Sequence, residues 1–233
     1  MPKVSILSCS YNKALYVSDA INSVVGQTFK DFEYLIIENS TDDQTYKIVN
    51  LFVDSRIVVF QETLTPEARK EKYVESVLKN EYMKRVKGDY IMHLADDDYL
   101  QHDCIEKHLK HFEDNPGCRA NYHAQKTVYI NSDKPEQKRA AKIVFDKEHT
   151  PNCAIDGGTV MYESSLLNEI DYPFYPEEWE TAHYSDGIFL EKIANIADIC
   201  PISEILHTKR VTPISVHVTP DGPMYDKGYN PNA

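Results

Sequence analysis

Residues 90–98 read Tyr-Ile-Met-His-Leu-Ala-Asp-Asp-Asp, a short apolar run that ends in three consecutive carboxylates. The apolar run is typical of a buried strand, and the aspartates mark the point where that strand ends. Adjacent carboxylates repel one another unless a positive group lies between them. Because oxygen ligands without clustered His or Cys favour Mg²⁺ or Mn²⁺, Asp96, Asp97 and Asp98 predict a divalent-metal site.

A turn or a helix cap is the alternative interpretation of these aspartates, since Asp is common at such positions and a helix is predicted from residue 101. A cap would explain one aspartate, but it would not relieve the repulsion among three. An EF-hand loop is excluded because Leu100 occupies its fifth position and Lys107 stands where the bidentate glutamate belongs. A metal with so few protein ligands usually binds substrate phosphates, which points to a nucleoside diphosphate derivative.

Composition limits the classes of function that the chain can have. It has 233 residues, a formal net charge of −12 and 42% hydrophobic residues, which predicts one globular domain and argues against nucleic acid as a ligand. The five scattered cysteines form no Cys-x-x-Cys pair, a pattern typical of reduced, cytoplasmic proteins. We expect no export signal and no transmembrane segment, because no apolar run approaches the length of a membrane span. The oligomeric state is left open, a homo-oligomer included.

Hydrophobic periodicity predicts an α/β fold with a mostly parallel central sheet flanked by helices. Strands at residues 4–7, 32–37, 57–61 and 90–94 alternate with helices, the third of which is expected to run unbroken from Thr65 to the region of Gly88. Ligands of such sheets bind beyond the carboxyl ends of the strands. The polar segments that follow the strands should therefore meet at one rim; they are residues 8–13, 38–42 and 96–98.

The second half of the chain has a looser pattern. It predicts antiparallel strands near residues 121–130 and 141–145, separated by a polar loop at 131–139. A helix is expected to begin at Ser185, and a further strand is expected at residues 205–211.

Several segments carry motifs that occur together in one known family. Together they resemble the family-2 inverting glycosyltransferases of GT-A fold, and the resemblance covers residues 3–115; the segments are 3–13, 21–33, 38–42 and 88–91. The second half resembles spore-coat polysaccharide members of that family at 151–156, 185–187 and 215–217. The resemblance implies a single GT-A domain over residues 1–233. It would comprise a Rossmann-like nucleotide-sugar-binding half (3–115), a mixed acceptor-binding half (116–218) and a flexible tail (219–233).

The resemblance also implies roles for individual residues in donor binding. In this interpretation Ser8, Ser10 and Tyr11 line the base pocket, Glu38 meets the uracil or ribose, and Arg69 approaches the nucleotide. The turn after Glu38 is shorter than the family pattern. Asp96 and Asp97 are also assigned to nucleotide binding. The metal ligands are predicted to be Asp97, Asp98 and His217. His207 and Arg210 are further candidates near the diphosphate.

Asp186 has two interpretations. From the sequence alone it is a first-turn acid that stabilises a helix N-terminus, whereas the resemblance implies the catalytic base of an inverting enzyme. The predicted function is metal-dependent, inverting hexosyl transfer from a UDP- or dTDP-sugar to a glycan hydroxyl in polysaccharide or glycoconjugate synthesis, with Mn²⁺ or Mg²⁺ as cofactor. One alternative is a nucleotide-sugar-binding module without turnover. The other is a sugar-1-phosphate nucleotidylyltransferase, which the glycine-free loop at residues 8–12 disfavours.

Overall fold

One nine-stranded sheet organises the part of the chain that the computed structural model describes, residues 1–151, 154–213 and 215. The strands follow the order β3-β2-β1-β4-β8-β6-β9-β5, and β7 pairs with β6. Their bounds are β1 (Val4–Ser10), β2 (Phe32–Glu38), β3 (Ile57–Gln61), β4 (Tyr90–His93), β5 (Tyr99–Leu100), β6 (Ala120–Tyr129), β7 (Gln137–Arg139), β8 (Val160–Glu163) and β9 (Ile199–Val211).

Helices cover both faces of this sheet. The α-helices are α1 (Val17–Val25), α2 (Asp43–Val49), α3 (Pro66–Glu71), α4 (Val74–Tyr82), α5 (Cys104–Asp114) and α6 (Ser185–Ala194), and short 3₁₀ helices lie at Met83–Arg85, Gly157–Thr159, Ser164–Asn168 and Trp179–Tyr184. Apolar residues of α1, α2 and α5 pack with Ile6 and Ile36 on one face. Those of α4 and α6 pack with Leu7 and Leu35 on the other. None of the described helices combines the length and the apolar character that crossing a bilayer requires.

The parallel half of the sheet aligns the ends of its strands. Strand β1 pairs in parallel with both β2 and β4, and Ser10 lies opposite Glu38 while Leu7 lies opposite His93. All seven residues of β2 are buried, as expected for a strand that is covered on both faces. The carboxyl ends of β1, β2 and β4 therefore share one edge, and the predicted α/β sheet flanked by helices is confirmed.

The second half adds strands of mixed direction. Strand β8 is antiparallel to β4 and to β6, and β9 runs parallel to β6 and antiparallel to the short β5. Leu100 in β5 lies opposite His207 in β9. Because β5 directly follows the three aspartates, this pairing brings residues 207–210 against the aspartate loop.

The structure corrects two predictions of secondary structure. The single long helix after Thr65 is broken at Lys72 and Tyr73, where the Tyr73 amide donates to the Glu177 carbonyl at 2.8 Å and Lys72 pairs with the Glu177 carboxylate at 2.5 Å. These contacts with a distant segment outweigh the local helical preference. The strand predicted at 141–145 is reduced to one bridge at Phe145, and β7 forms instead inside the predicted loop 131–139.

We predict that Gly88→Ala destabilises the fold. A Cβ at Gly88 would lie 2.5 Å from the Ser5 nitrogen and 2.7 Å from the Val4 carbonyl carbon, so β1 itself would have to move. Overpacking of this kind costs about 1–3 kcal/mol. Thermal unfolding should show a lower Tm, whereas Gly117→Ala is the matched control, because no heavy atom lies within 4 Å of its Cβ position. An unchanged Tm in Gly88→Ala would contradict the close approach.

Candidate active site

The three polar segments that follow β1, β2 and β4 are joined by hydrogen bonds. The Tyr11 amide donates to Asp96 Oδ2 at 2.9 Å, which ties the first segment to the aspartates. The Asn39 amide donates to the Ser10 carbonyl at 2.9 Å, and the Asn12 amide donates to Ser40 Oγ at 2.8 Å. Residues 8–13, 38–42 and 96–98 therefore form one rim, as the sheet topology predicts.

Tyr11 and Arg69 form an accessible aromatic and cationic surface on this rim. Tyr11 is 37% exposed, and the Arg69 guanidinium lies over its ring, 4.7 Å from the centroid. Arg69 also donates to Asn39 Oδ1 at 3.1 Å and to the Asn39 carbonyl. An exposed ring beside a fixed guanidinium can stack on and hydrogen-bond a nucleotide base.

The other residues predicted to contact the nucleotide lie deeper. Ser8 is buried, and its hydroxyl donates to the Leu94 carbonyl at 2.6 Å and shares a 2.8 Å hydrogen bond with the Tyr34 hydroxyl. Glu38 is also buried, and its Oε1 accepts from the Ser40 amide at 2.9 Å. Ser10 is fully buried at the end of β1. Ser8 and Glu38 hold the loops in place in this conformation, and their contact with a nucleotide stays a prediction.

Each carboxylate of the aspartate triplet has its own partner. Asp97 Oδ2 accepts from Lys13 Nζ at 2.5 Å, and Asp98 pairs with His207 Nε2 at 3.0 Å and accepts from the Arg210 amide at 2.7 Å. The Arg210 guanidinium donates to the Asp97 carbonyl and to Asp19 Oδ2. Protein groups therefore supply part of the positive charge for which the sequence predicts a metal.

Burial dominates the electrostatics of the triplet. Burial and the neighbouring charge of Asp97 raise the pKa of Asp96 to about 8, although Lys13 and the Tyr11 amide oppose this shift. Burial also raises the pKa of Asp98, against the opposing effect of its hydrogen bond with His207. Asp96 and Asp97 are thus two buried carboxyl groups whose ionisation together an additional cation would favour.

The donor set at Asp96 and Asp97 fits a divalent cation. Both are nearly buried oxygen donors, the ligand type that Mg²⁺ and Mn²⁺ prefer. Asp98 is less available, because one of its oxygens faces His207 and the other the Arg210 amide. Its role as a metal ligand stays a prediction. His217 and the predicted tail 219–233 lie outside the described residues.

Asp186 lies in the first turn of α6 and is accessible. Its side chain is 33% exposed, its Oδ1 lies 3.2 Å from Lys79 Nζ, and its Oδ2 accepts from the Gly157 amide at 3.3 Å. Next to Gly157, the Asp156 carboxylate forms an ion pair with Lys209. Burial opposes the charge on Asp156, but Lys209 and His207 lower its pKa. Asp186 is thus a partly exposed carboxylate beside a second, partly buried ion pair.

Sequence reasoning did not identify several of these partners. Lys13 belongs to a segment that the sequence predicts at the rim, but its ion pair with Asp97, 84 residues further along the chain, was not predicted. Lys79 and Asp186 are separated by 107 residues, and Lys209 and Asp156 by 53. By contrast, the ion pair between Glu75 and Lys79 has a signal in the sequence, the i,i+4 spacing of an acid and a lysine on one helix.

A second group of potential metal ligands lies behind the rim and has a different explanation. Cys104, His108 and His123 are buried, with ligand atoms within 4.8 Å of one another. However, His108 Nε2 and His123 Nδ1 are 2.7 Å apart, and His108 Nδ1 bonds to Asn121. Two nitrogen ligands of a tetrahedral zinc would lie about 3.3 Å apart. The histidines therefore form a hydrogen-bonded pair, which supports β6 against α5.

We predict that Asp98→Ala destabilises the protein much more than loss of an exposed acid does. It would leave His207 and the Arg210 amide without their buried partner, and breaking a buried pair in this way costs about 3–5 kcal/mol. Urea unfolding measures the effect. Asp114→Ala, which removes a surface ion pair with Lys110 at 3.0 Å, is the control and should cost about 0–1 kcal/mol. Equal losses in the two variants would contradict a buried structural role for Asp98.

Comparison with known protein families gives a match that covers most of the chain. The model of Glycosyl transferase family 2 matches residues 5–170. Among curated proteins, Protein CgeD of Bacillus subtilis (strain 168) is 29% identical over 220 residues, which make up 91% of this chain and 51% of CgeD. The UDP-Glc:alpha-D-GlcNAc-diphosphoundecaprenol beta-1,3-glucosyltransferase WfaP of Escherichia coli is 36% identical over 58 residues, 25% of this chain and 23% of WfaP. The chain thus spans about half the length of CgeD.

Solved structures share the fold at low sequence identity. S. aureus TarS 1-349 in complex with UDP has a TM-score of 0.68 and 19% identity, over 91% of this chain and 61% of that one. The mannosyltransferase PcManGT from Pyrobaculum calidifontis, in complex with GDP-Man and Mn²⁺, has a TM-score of 0.59 and 14% identity, over 93% of this chain and 59% of that one. These similarities confirm the predicted GT-A fold. Because the family model covers well over half of its residues, the chain belongs to glycosyltransferase family 2.

Proposed function

We propose that this protein transfers a hexosyl residue from a UDP- or dTDP-sugar to a glycan hydroxyl, with inversion and with the help of Mn²⁺ or Mg²⁺. The observation that carries the proposal is a chain of contacts from the rim to Asp186. Asp98 pairs with His207 at 3.0 Å, a Cβ at Gly158 would lie 3.5 Å from His207 Cε1, and the adjacent Gly157 amide donates to Asp186 Oδ2 at 3.3 Å. Although burial opposes the charge on Lys209, the carboxylates of Asp156, Asp98 and Asp186 raise its pKa. The acidic rim and the partly exposed Asp186 carboxylate are therefore close enough to act on one substrate.

The ligands of the structural neighbours support the class of donor. TarS has been solved with UDP and with UDP-GlcNAc, and PcManGT with GDP-Man and Mn²⁺. Each of these sugar donors carries a diphosphate, which an acidic protein with a net charge of −12 can hold only where positive groups are concentrated. Lys13, Arg69, Lys209 and Arg210 supply such groups around the rim.

The chain's own residues account for binding and for proton transfer. Tyr11 and Arg69 would hold the base, and Asp96 and Asp97 would hold the divalent cation. When bound, such a cation neutralises the charge that collects on a departing diphosphate. Asp186 would accept the proton of the acceptor hydroxyl as its oxygen attacks the anomeric carbon from the face opposite the leaving group. This single displacement inverts the configuration and requires no covalent sugar-enzyme intermediate.

The remaining expectations form part of the same proposal. Cys9, Cys104, Cys118 and Cys200 are free thiols, which supports a reducing, cytoplasmic setting. We propose a single catalytic domain that acts in polysaccharide or glycoconjugate synthesis. Membership of family 2 favours a transferase over the alternative of a sugar-1-phosphate nucleotidylyltransferase.

We predict that Asp186→Asn abolishes most turnover and leaves nucleotide binding intact. The amide cannot accept the proton, and general-base catalysis typically contributes about 10²–10⁴-fold. The measurements are UDP release from a panel of UDP- and dTDP-sugars with Mn²⁺ and acceptor, and UDP affinity by calorimetry. Asp114→Asn, on the exposed face of α5, is the control. A wild-type protein that binds UDP without releasing it from any donor would favour the binding-module alternative, and full activity in Asp186→Asn would exclude that residue as the base.

A separate prediction concerns the cation. Asp97→Asn should weaken Mn²⁺ binding in the presence of UDP by at least about tenfold, a loss that even outer-shell substitutions cause. Electron paramagnetic resonance of free Mn²⁺ measures this without any need for turnover. Asp114→Asn should bind Mn²⁺ as the wild type does, and an unchanged affinity in Asp97→Asn would place the cation elsewhere.

A further inference from the structure

Lys79 is a buried cation held between two carboxylates, one of which is Asp186. Its side chain is 11% exposed, and its Nζ lies 2.7 Å from Glu75 Oε1 and 3.2 Å from Asp186 Oδ1. The same ammonium lies over the Tyr175 ring, 4.8 Å from the centroid. Burial opposes the charge, but Asp186 and Glu75 outweigh it and raise the pKa of Lys79. Lys79 is therefore a permanent positive charge beside Asp186.

Gly157 holds the other side of the Asp186 carboxylate. Its amide donates to Oδ2, and a Cβ at this position would lie 2.7 Å from both Cγ and Oδ2 of Asp186. The glycine is itself fixed by Asp156, which pairs with Lys209 and caps the Gly157–Thr159 turn. Both oxygens of Asp186 thus have a defined partner, and the space for any side chain at residue 157 is taken by the carboxylate.

We propose that Lys79, Glu75 and Gly157 are positioning residues that orient Asp186 and stabilise its negative charge for proton transfer from the acceptor hydroxyl. The inference rests on the proposed function. An ammonium at 3.2 Å favours the ionised carboxylate. Once Asp186 takes up the proton and becomes neutral, Glu75 still compensates Lys79, so that no buried charge is left unpaired. Glu75 thereby lets Lys79 stabilise the base without preventing its protonation.

Other ionisable groups around Asp186 do not take over this role. Lys209 on β9 acts on Asp186 at longer range, but it is paired with Asp156. The remaining ionisable neighbours are tyrosines, which burial keeps neutral because it raises their pKa well above the usual value; they are Tyr73, Tyr162 and Tyr175. Lys79 is the cation in contact with Asp186 among the described residues.

The first test is the pH dependence of transfer by Lys79→Met. Because the variant removes the positive charge that lies 3.2 Å from the Asp186 carboxylate, the acid limb of kcat/KM should move to higher pH. Lys79→Arg keeps a cation and should restore the wild-type limb in part. Lys110→Met removes an exposed lysine of α5 and should leave the profile unchanged. Thermal unfolding of each variant verifies that it is folded.

The second test uses Gly157→Ala, which displaces the carboxylate without changing any charge. We expect kcat to fall at least tenfold while UDP affinity and the KM for the donor stay within twofold of wild type. Gly117→Ala, whose Cβ meets no atom within 4 Å, should retain full activity.

The outcomes separate this inference from the function on which it rests. No transfer from any donor by the folded wild type would overturn the proposed function and this inference with it. Transfer by the wild type together with an unshifted acid limb in Lys79→Met and unchanged kcat in Gly157→Ala would overturn the inference alone. A shifted limb that Lys79→Arg reverses, with a selective loss of kcat in Gly157→Ala, would confirm it.

Discussion

The compensation of three buried aspartates by groups from opposite ends of the chain is the constraint on which this site depends. Lys13 lies on the loop after β1, whereas His207 and Arg210 lie on β9, almost 200 residues further along the chain. Unpaired carboxylates at this depth would cost several kcal/mol each. The loop at residues 96–98 can therefore adopt its conformation only when the parallel half of the sheet and the late strand β9 have come together. The fold and the site are held by the same contacts.

The three aspartates have different roles in this arrangement. Asp98 is engaged on both oxygens and ties β9 to the rim, while Asp96 and Asp97 remain a repelling pair with only partial compensation. Such a pair favours the binding of a divalent cation, and the cation can in turn bind a diphosphate. Asp186 presents the complementary case, because its partners hold it in place while leaving a third of its side chain exposed. The proposed transfer reaction uses both features, one to bind the donor and the other to take up a proton.

The parts of the fold that rest on local patterns could be predicted from the sequence. The strands up to residue 94, the helix at Ser185 and the shared rim follow from periodicity and from the rule that parallel strands end at one edge. The break at Lys72 and Tyr73 could not be predicted, because it depends on Glu177. The contacts of the aspartate loop could be predicted only in part. Repulsion among its three carboxylates indicates that positive charge is needed, but it does not indicate which group supplies that charge. Whether Lys13, Arg210 or a metal supplies that charge depends on contacts across more than 80 residues.

A crystal structure of the wild-type protein with UDP and Mn²⁺ tests the proposed donor site most directly. We predict the base against Tyr11 and Arg69, the ion bound by Asp97, and the diphosphate between the rim and Lys209, with Asp186 facing the open side of the donor site. A nucleotide bound elsewhere, or an Asp96–Asp97 pair that keeps only its protein partners while UDP is bound, would contradict this prediction.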